Sequence, residues 1–171
     1  GDCRITAVTD APAPVLAVHH TPDGPTAHRA RKFLQHTGCG LSSRLAEDLL
    51  HARGLLGQPH PEPLHPGPDP AGHVRAHIAG LYGAAPEDLR LAASGMSAFY
   101  AAFNATRALQ RPRGRTRWLQ LGWLYLDTGE ILRKLLLPGE QLIQVEVHDT
   151  EALEAVFAET GHDLAGVVAE V

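Results

Sequence analysis

Residues 116–171 read TRWLQLGWLYLDTGEILRKLLLPGEQLIQVEVHDTEALEAVFAETGHDLAGVVAEV, and the alternation within them decides the fold. A strand-like run at 116–121 gives way to a helical stretch at 128–137, stopped by Pro138 and Gly139. A second run at 142–147 precedes a helix at 151–160 closed by Gly161, and a third run fills 165–171. Strands separated by single helices at this spacing pair in parallel, because a parallel neighbour requires a long crossover. The expected class is α/β, a mostly parallel sheet with flanking helices.

Upstream, Met96, Phe99, Tyr100 and Phe103 stand at i, i+3, i+4 and i+7, the stripe of a helix over 95–109. The apolar run 89–93 before it reads as a buried strand. Residues 59–70, PHPEPLHPGPDP, hold six prolines and form a loop, since proline lacks an N–H and restricts its predecessor. Asp69-Pro70 then caps and opens a helix with Val74, His77, Ile78 and Leu81 on one face. A further helix starts at Ser42 or Ser43, carries Leu45, Leu49 and Leu50 on one side, and stops at Gly54. In the first forty residues, Pro12, Pro14, Pro22 and Pro25 interrupt two apolar patches at 5–8 and 15–18, which read as strands or extended pieces. The expected organisation is therefore an N-terminal segment 1–58, a loop 59–70, and a partial α/β domain 71–171. The last run stops inside what reads as a central strand, so the domain is expected to continue past Val171.

Composition narrows the function classes. The chain has 171 residues, is 44% apolar, and carries a net charge of −4, which disfavours a general nucleic-acid binder. No run approaches the length of a membrane span. Only two cysteines, Cys3 and Cys39, and an N-terminus without a basic-then-apolar layout make the cytoplasm the expected compartment. Lysine is scarce, Lys32 and Lys134 alone against 13 arginines, and that bears on the chemistry below.

The strongest local signal is LAASGMS at 91–97, a strand passing through a Ser-Gly turn into a helix. Unpaired N–H groups and the positive dipole end at a helix start suit phosphate or carboxylate. Gly95 allows close approach, and Ser94 or Ser97 can add a hydroxyl. The plain alternative is an ordinary capped helix start.

Ala93-Ser94-Gly95-Met96-Ser97-Ala98 resembles the phosphate-holding turn of the Cys/Met-metabolism family of pyridoxal-5′-phosphate enzymes, which includes cystathionine γ-synthases, cystathionine lyases and homoserine-ester sulfhydrylases. The resemblance runs in order over 73–171. Residues 73–84 resemble the helix before the cofactor strand, and 124–128, LYLDT, the family's Leu-Tyr-Gly-Gly-Thr. Asp149-Thr-Glu-Ala-Leu153 resembles a helix start of the family, and 166–171 the strand before its Glu-Ser-Pro-x-Asn-Pro turn.

The resemblance implies part of the large domain of a fold-type-I enzyme. Its cofactor would be pyridoxal phosphate, bound by Ser94, Gly95, Met96, Ser97 and Tyr125. The Gly95 and Met96 amides would hold the phosphate, and Tyr125 would stack on the ring; alternatively Tyr125 packs between strand and helix. The implied substrate is a small amino acid of homoserine-ester, cysteine or cystathionine type, undergoing β- or γ-elimination or replacement in trans-sulfuration and methionine biosynthesis. A homodimer or homotetramer is implied for the complete protein.

Three departures stand out. Leu126 and Asp127 replace glycines after the tyrosine. The family's Tyr-Ser-Arg segment has no counterpart in 59–70; Gly40-Leu41-Ser-Ser-Arg44 has no assigned role, and Arg44 can bind an anion or simply sit exposed. The Schiff-base lysine is not in this chain and is expected beyond Val171: Lys32 precedes the motif, and Lys134 reads as part of a solvated helix face. No catalytic residue is therefore assigned, and the chain reads as a truncated half or a degenerate relative. The competing class is a non-catalytic α/β module binding an anion or partner.

Other signals are weaker. His73 and His77 at i and i+4 lack a third ligand, and His60 and His65 join only by chance of folding, so no metal is expected. Arg107, Arg111, Arg113, Arg115 and Arg117 read as an exposed helix end rather than a nucleic-acid patch. Trp118 and Trp123 read as core. A Gly-x-Ser-x-Gly elbow is absent, and Cys39 has no evident base.

Overall fold

The computed structural model describes residues 3–9, 11, 15–61, 63 and 67–170; Pro12, Pro14, His65 and Val171 lie outside them. Two compact units share the chain: Gly1–Leu34 with Cys39–Ala93, and Gln35–Gly38 with Ser94–Val171.

In the first unit, β1 (Cys3–Val8) pairs antiparallel with β2 (Val15–His20), Cys3 opposite His20 and Val8 opposite Val15. Both faces of this ribbon carry apolar residues. Val8, Val15 and Ala17 are half-buried, while Ile5, Leu16 and Val18 on the other face are exposed. A helix absent from the sequence reading follows: α1 (Pro25–Thr37), whose last turn belongs to the second unit. Its inward positions are Ala27, Ala30, Phe33, His36 and Thr37, at helical spacing but small or polar in three of the four turns, so periodicity gave no apolar stripe.

The capped helices stand where expected. Helix α2 (Ser43–Ala52) begins where Ser42 Oγ accepts the Leu45 N–H, and α3 (Pro70–Tyr82) where Asp69 accepts the Gly72 N–H at 2.8 Å. On α3, of the expected face Val74, His77, Ile78 and Leu81, only Ile78 is half-buried and the other three are exposed, while Ala79 beside it is buried, which shifts the apolar side. Residues 89–93 form no strand: among the described residues they join no ladder, and Leu91 is exposed.

The second unit is α/β. Helix α4 (Gly95–Gln110) leads to β3 (Arg117–Leu121), α5 (Leu126–Lys134), β4 (Gln141–Val145), α6 (Thr150–Thr160) and β5 (Leu164–Ala169). The strands form a three-stranded parallel sheet in the order β4-β3-β5, flanked by helices. Period two along β3 sends Trp118 to one face and Leu119 to the other. Trp118 packs with Phe103, Leu124, Ile131, Leu132 and Ala165; Leu119 packs with Val145, Leu164, Leu153 and Val156. Gly166 makes room for the indole, since a Cβ there would stand 2.9 Å from Trp118 Cζ3. Trp123, in contrast to the core reading, is 94% exposed in the loop after β3.

Helix α4 runs opposite to the strands. Near its carboxyl end Arg107 meets Glu140, just before β4; near its start Phe99 lines one cavity of about 290 Å³ with Ala169 and Glu170, at the end of β5. The start of α4 therefore lies toward the carboxyl edge of the sheet, where loops of open α/β sheets carry ligand sites.

Candidate anion cradle and aromatic loop

The turn at 94–97 is a reciprocal cap. Ser94 Oγ accepts the Ser97 N–H at 3.1 Å, and Ser97 Oγ accepts the Ser94 N–H at 2.9 Å. The Ser94 hydroxyl donates to Ser97 Oγ, and the Ser97 hydroxyl to the Ser94 carbonyl, so both hydroxyls are committed to the box. Among the described residues, no acceptor meets the N–H of Gly95 or Met96. Gly95 is exposed, and nothing lies within 4 Å of where its Cβ would be. Two donors without an acceptor thus stand at the positive end of a 16-residue helix, the first on exposed Gly95 and the second on half-buried Met96.

Gly38 backs this turn. Its φ of +60° is left-handed, and a Cβ there would collide with Ser94 Oγ and stand 3.3 Å from the Ser97 nitrogen.

Tyr125 stands after the carboxyl end of β3, directly before α5. Its N–H donates to Glu170 Oε2 at 2.6 Å, and its carbonyl accepts the Gly129 N–H. The side chain is 59% exposed, so it is not packed between strand and helix. The role of Glu170, at the end of β5, escaped sequence reading because its partner is 45 positions away.

A third cluster also escaped it. His36, at the end of α1, is buried, and its Nδ1 stands 2.8 Å from Asp127 Oδ1 on the first turn of α5. Its Nε2 lies 3.4 Å from Lys134 Nζ and 3.8 Å from Glu130 Oε2. Lys134 is thus not a simple solvated lysine: its ammonium pairs with Glu130. Bonds from Lys134 first and Arg133 second hold the Glu130 carboxyl down at about 2, against partial desolvation that works the other way. Lys32 lies within α1 in the first unit.

The arginine run divides. Arg107 is buried, contrary to the exposed reading. It donates to Glu140 at 3.0 Å, to Asn104 Oδ1 and to the Leu135 carbonyl, and lies over the Phe103 ring. The Glu140 side chain is 1% exposed, so the pair is desolvated on both sides. Arg113 and Arg115 are exposed, as are Arg44, His73, His77, Cys3 and Cys39. Among the described residues no group of three or more His, Cys, Asp or Glu is placed to hold a metal ion. No helix of the described residues is long and apolar enough to cross a membrane.

These features define an α/β protein with a reciprocally capped helix start at Ser94–Ser97 and an exposed tyrosine after the carboxyl end of β3. Over 158 residues the chain is 40% identical to the L-2-amino-4-chloropent-4-enoate dechlorinase/desaturase of Streptantibioticus cattleyicolor, an enzyme; the alignment covers 92% of this chain and 31% of that protein. The chain thus spans about a third of the length of the curated relative it matches. No protein-family model and no solved structure matches it.

Proposed function

We propose that this chain is the cofactor-phosphate-binding part of a pyridoxal-phosphate enzyme that removes or replaces a substituent on the side chain of an amino acid. The observation that carries the reading is the pair of amides at Gly95 and Met96 that meet no acceptor among the described residues, in the motif that resembles the family's phosphate-holding turn. The relative adds substrate chemistry: its named substrate is an amino acid with chlorine on the fourth carbon, the γ-position. Loss of a γ-substituent is among the reactions the resemblance implies. We therefore favour a small amino acid with a γ-leaving group as substrate, over the cysteine or cystathionine types.

The residues present fit the phosphate end of the cofactor. Gly95 and Met96 would donate their N–H groups to phosphate oxygens, with the α4 dipole behind them. The Ser94–Ser97 box would keep those donors aimed, without spending hydroxyl protons on the ligand. Tyr125 would cover one ring face, its backbone set by Glu170. The bound cofactor would supply an electron sink for charge developing at the substrate α-carbon. Neither lysine of this chain is proposed for bond formation to the cofactor; Lys134 is held by Glu130.

The test is titration of the chain with pyridoxal phosphate, followed by amide NMR, then borohydride reduction and peptide mass analysis. Shifts confined to Gly95, Met96 and the Tyr125 loop, lost in Gly95→Asp, are expected, with no adduct on Lys32 or Lys134. Saturating ligand that leaves the Gly95 and Met96 amides unmoved overturns the proposal. A stoichiometric adduct on Lys134 would move the lysine into this chain and overturn that assignment.

A further inference from the structure

We infer that residues 35–38 form a positioning strap that fixes the Ser94–Ser97 cradle and the Tyr125 loop relative to one another, with His36 and Gly38 as its two attachment points. The cofactor role of the strap rests on the reading above; the mechanical coupling does not.

The geometry is compact. His36 bonds the first turn of α5 through Asp127, two residues after Tyr125. Gly38, two residues along the chain, stands against Ser94, Met96 and Ser97 so closely that no Cβ fits. One tetrapeptide therefore touches both parts of the candidate site. Thr37 between them is completely buried, so the link has no room to swing. A packed segment this short has few alternative arrangements, and a shift at one end must be taken up at the other.

The charges around His36 select its tautomer. Lys134 ammonium beside Nε2 makes that nitrogen the acceptor, which leaves the proton on Nδ1 to donate to Asp127. Glu130, 3.8 Å from Nε2, holds the ammonium in place through its own ion pair. This also accounts for Asp127, which stands where the resembling family has glycine. A glycine there offers nothing to an imidazole; aspartate anchors it. His36 and Asp127 are positioning residues, reaching the candidate site through the backbone of their own elements.

The test is amide hydrogen exchange on the 171-residue chain without ligand, comparing the wild type with His36→Ala, Asp127→Asn and Gly38→Ala. His36→Ala should speed exchange about tenfold at Gly129 N–H, in the first turn of α5, and at Ser97 N–H, in the cradle, leaving Leu119 in the central strand unchanged. Asp127→Asn keeps an acceptor for Nδ1 and should stay near wild type at both. Gly38→Ala, cutting the strap at its other end, should loosen the same two amides. Imidazole ¹⁵N spectra should show Nδ1 protonated in the wild type. An effect of His36→Ala at Gly129 alone, or an equal effect at Leu119, overturns the strap, as does an Nδ1 that carries no proton. Inorganic phosphate titration separates the two readings. If phosphate shifts Gly95 and Met96, His36→Ala should weaken it several-fold, and unchanged affinity counts against the strap. If phosphate shifts neither, the cofactor reading fails and exchange alone decides the strap.

Discussion

The β1–β2 ribbon and the β4-β3-β5 sheet contain comparable apolar runs, yet they handle them differently. In the sheet, Trp118 and Leu119 go to opposite faces, and each meets helix side chains there. In the ribbon, Val8 and Val15 are half-buried, but Ile5, Leu16 and Val18 point from the other face into solvent. A parallel sheet is stable because both of its faces are covered. An antiparallel ribbon persists with one face open, and contributes less per residue when it does. The lesson is that apolar content predicts burial only where topology supplies a second layer.

This contrast is open to attack. Leu119→Ala, at a fully buried position, should cost about 4 kcal/mol, while Leu16→Ala should cost under about 0.5 kcal/mol, read from urea midpoints. Equal losses would mean the ribbon face is covered after all. Next in size is Arg107→Ala, which strands Glu140 without its buried partner and should cost about 3 kcal/mol, against almost nothing for exposed Arg113→Ala. Should the two arginines match, the buried pair adds no more than a surface one. A smaller effect, about 1 kcal/mol, is expected for Ser94→Ala in thermal melts. Ser42→Ala in the first unit should match it, because a cap depends on local geometry rather than on sheet topology.

The smallest effect is in acid. The Glu130 carboxyl titrates at about 2 when folded and near its ordinary value of 4.5 when unfolded. A depressed carboxyl stabilises the fold above the unfolded value and loses that contribution as pH falls toward the folded one. Glu130→Gln should therefore flatten the stability profile between those two values and leave its shape above about pH 5 unchanged. An unaltered acid limb would show that the pairs with Lys134 and Arg133, both part-exposed, contribute nothing.

The sheet was legible in the sequence because period-two and period-3.6 patterns alternate cleanly from 95 onward, and the caps at Ser42, Asp69, Ser94 and Asp149 announce themselves by residue type. Helix α1 was not, because its inward side sets a single large apolar residue, Phe33, among Ala27, Ala30, His36 and Thr37, which are small or polar. Residues 89–93 misled in the other direction: a run of apolar residues reads as a strand even where no neighbour offers a ladder. Trp123 and Arg107 went wrong for one reason, that residue type gives an average environment, and these two stand at its extremes. The capping turn at Ser94–Ser97 was local and could be read. His36–Asp127 spans 91 positions and Tyr125–Glu170 spans 45, and no local pattern encodes such pairs.

The bond between Glu170 and the Tyr125 amide carries a consequence for the order of events in synthesis. Everything needed to form α5 has left the ribosome once residue 134 emerges, but the carboxylate that fixes the start of that helix comes 36 residues after it. Loop closure over such a distance is slow compared with helix growth. The tyrosine loop is therefore among the last parts of the second unit to settle, and it settles only when β5 docks beside β3. A nascent chain arrested before residue 170 would carry the Ser94–Ser97 cap already closed and the Tyr125 loop still unset until the strand is in place.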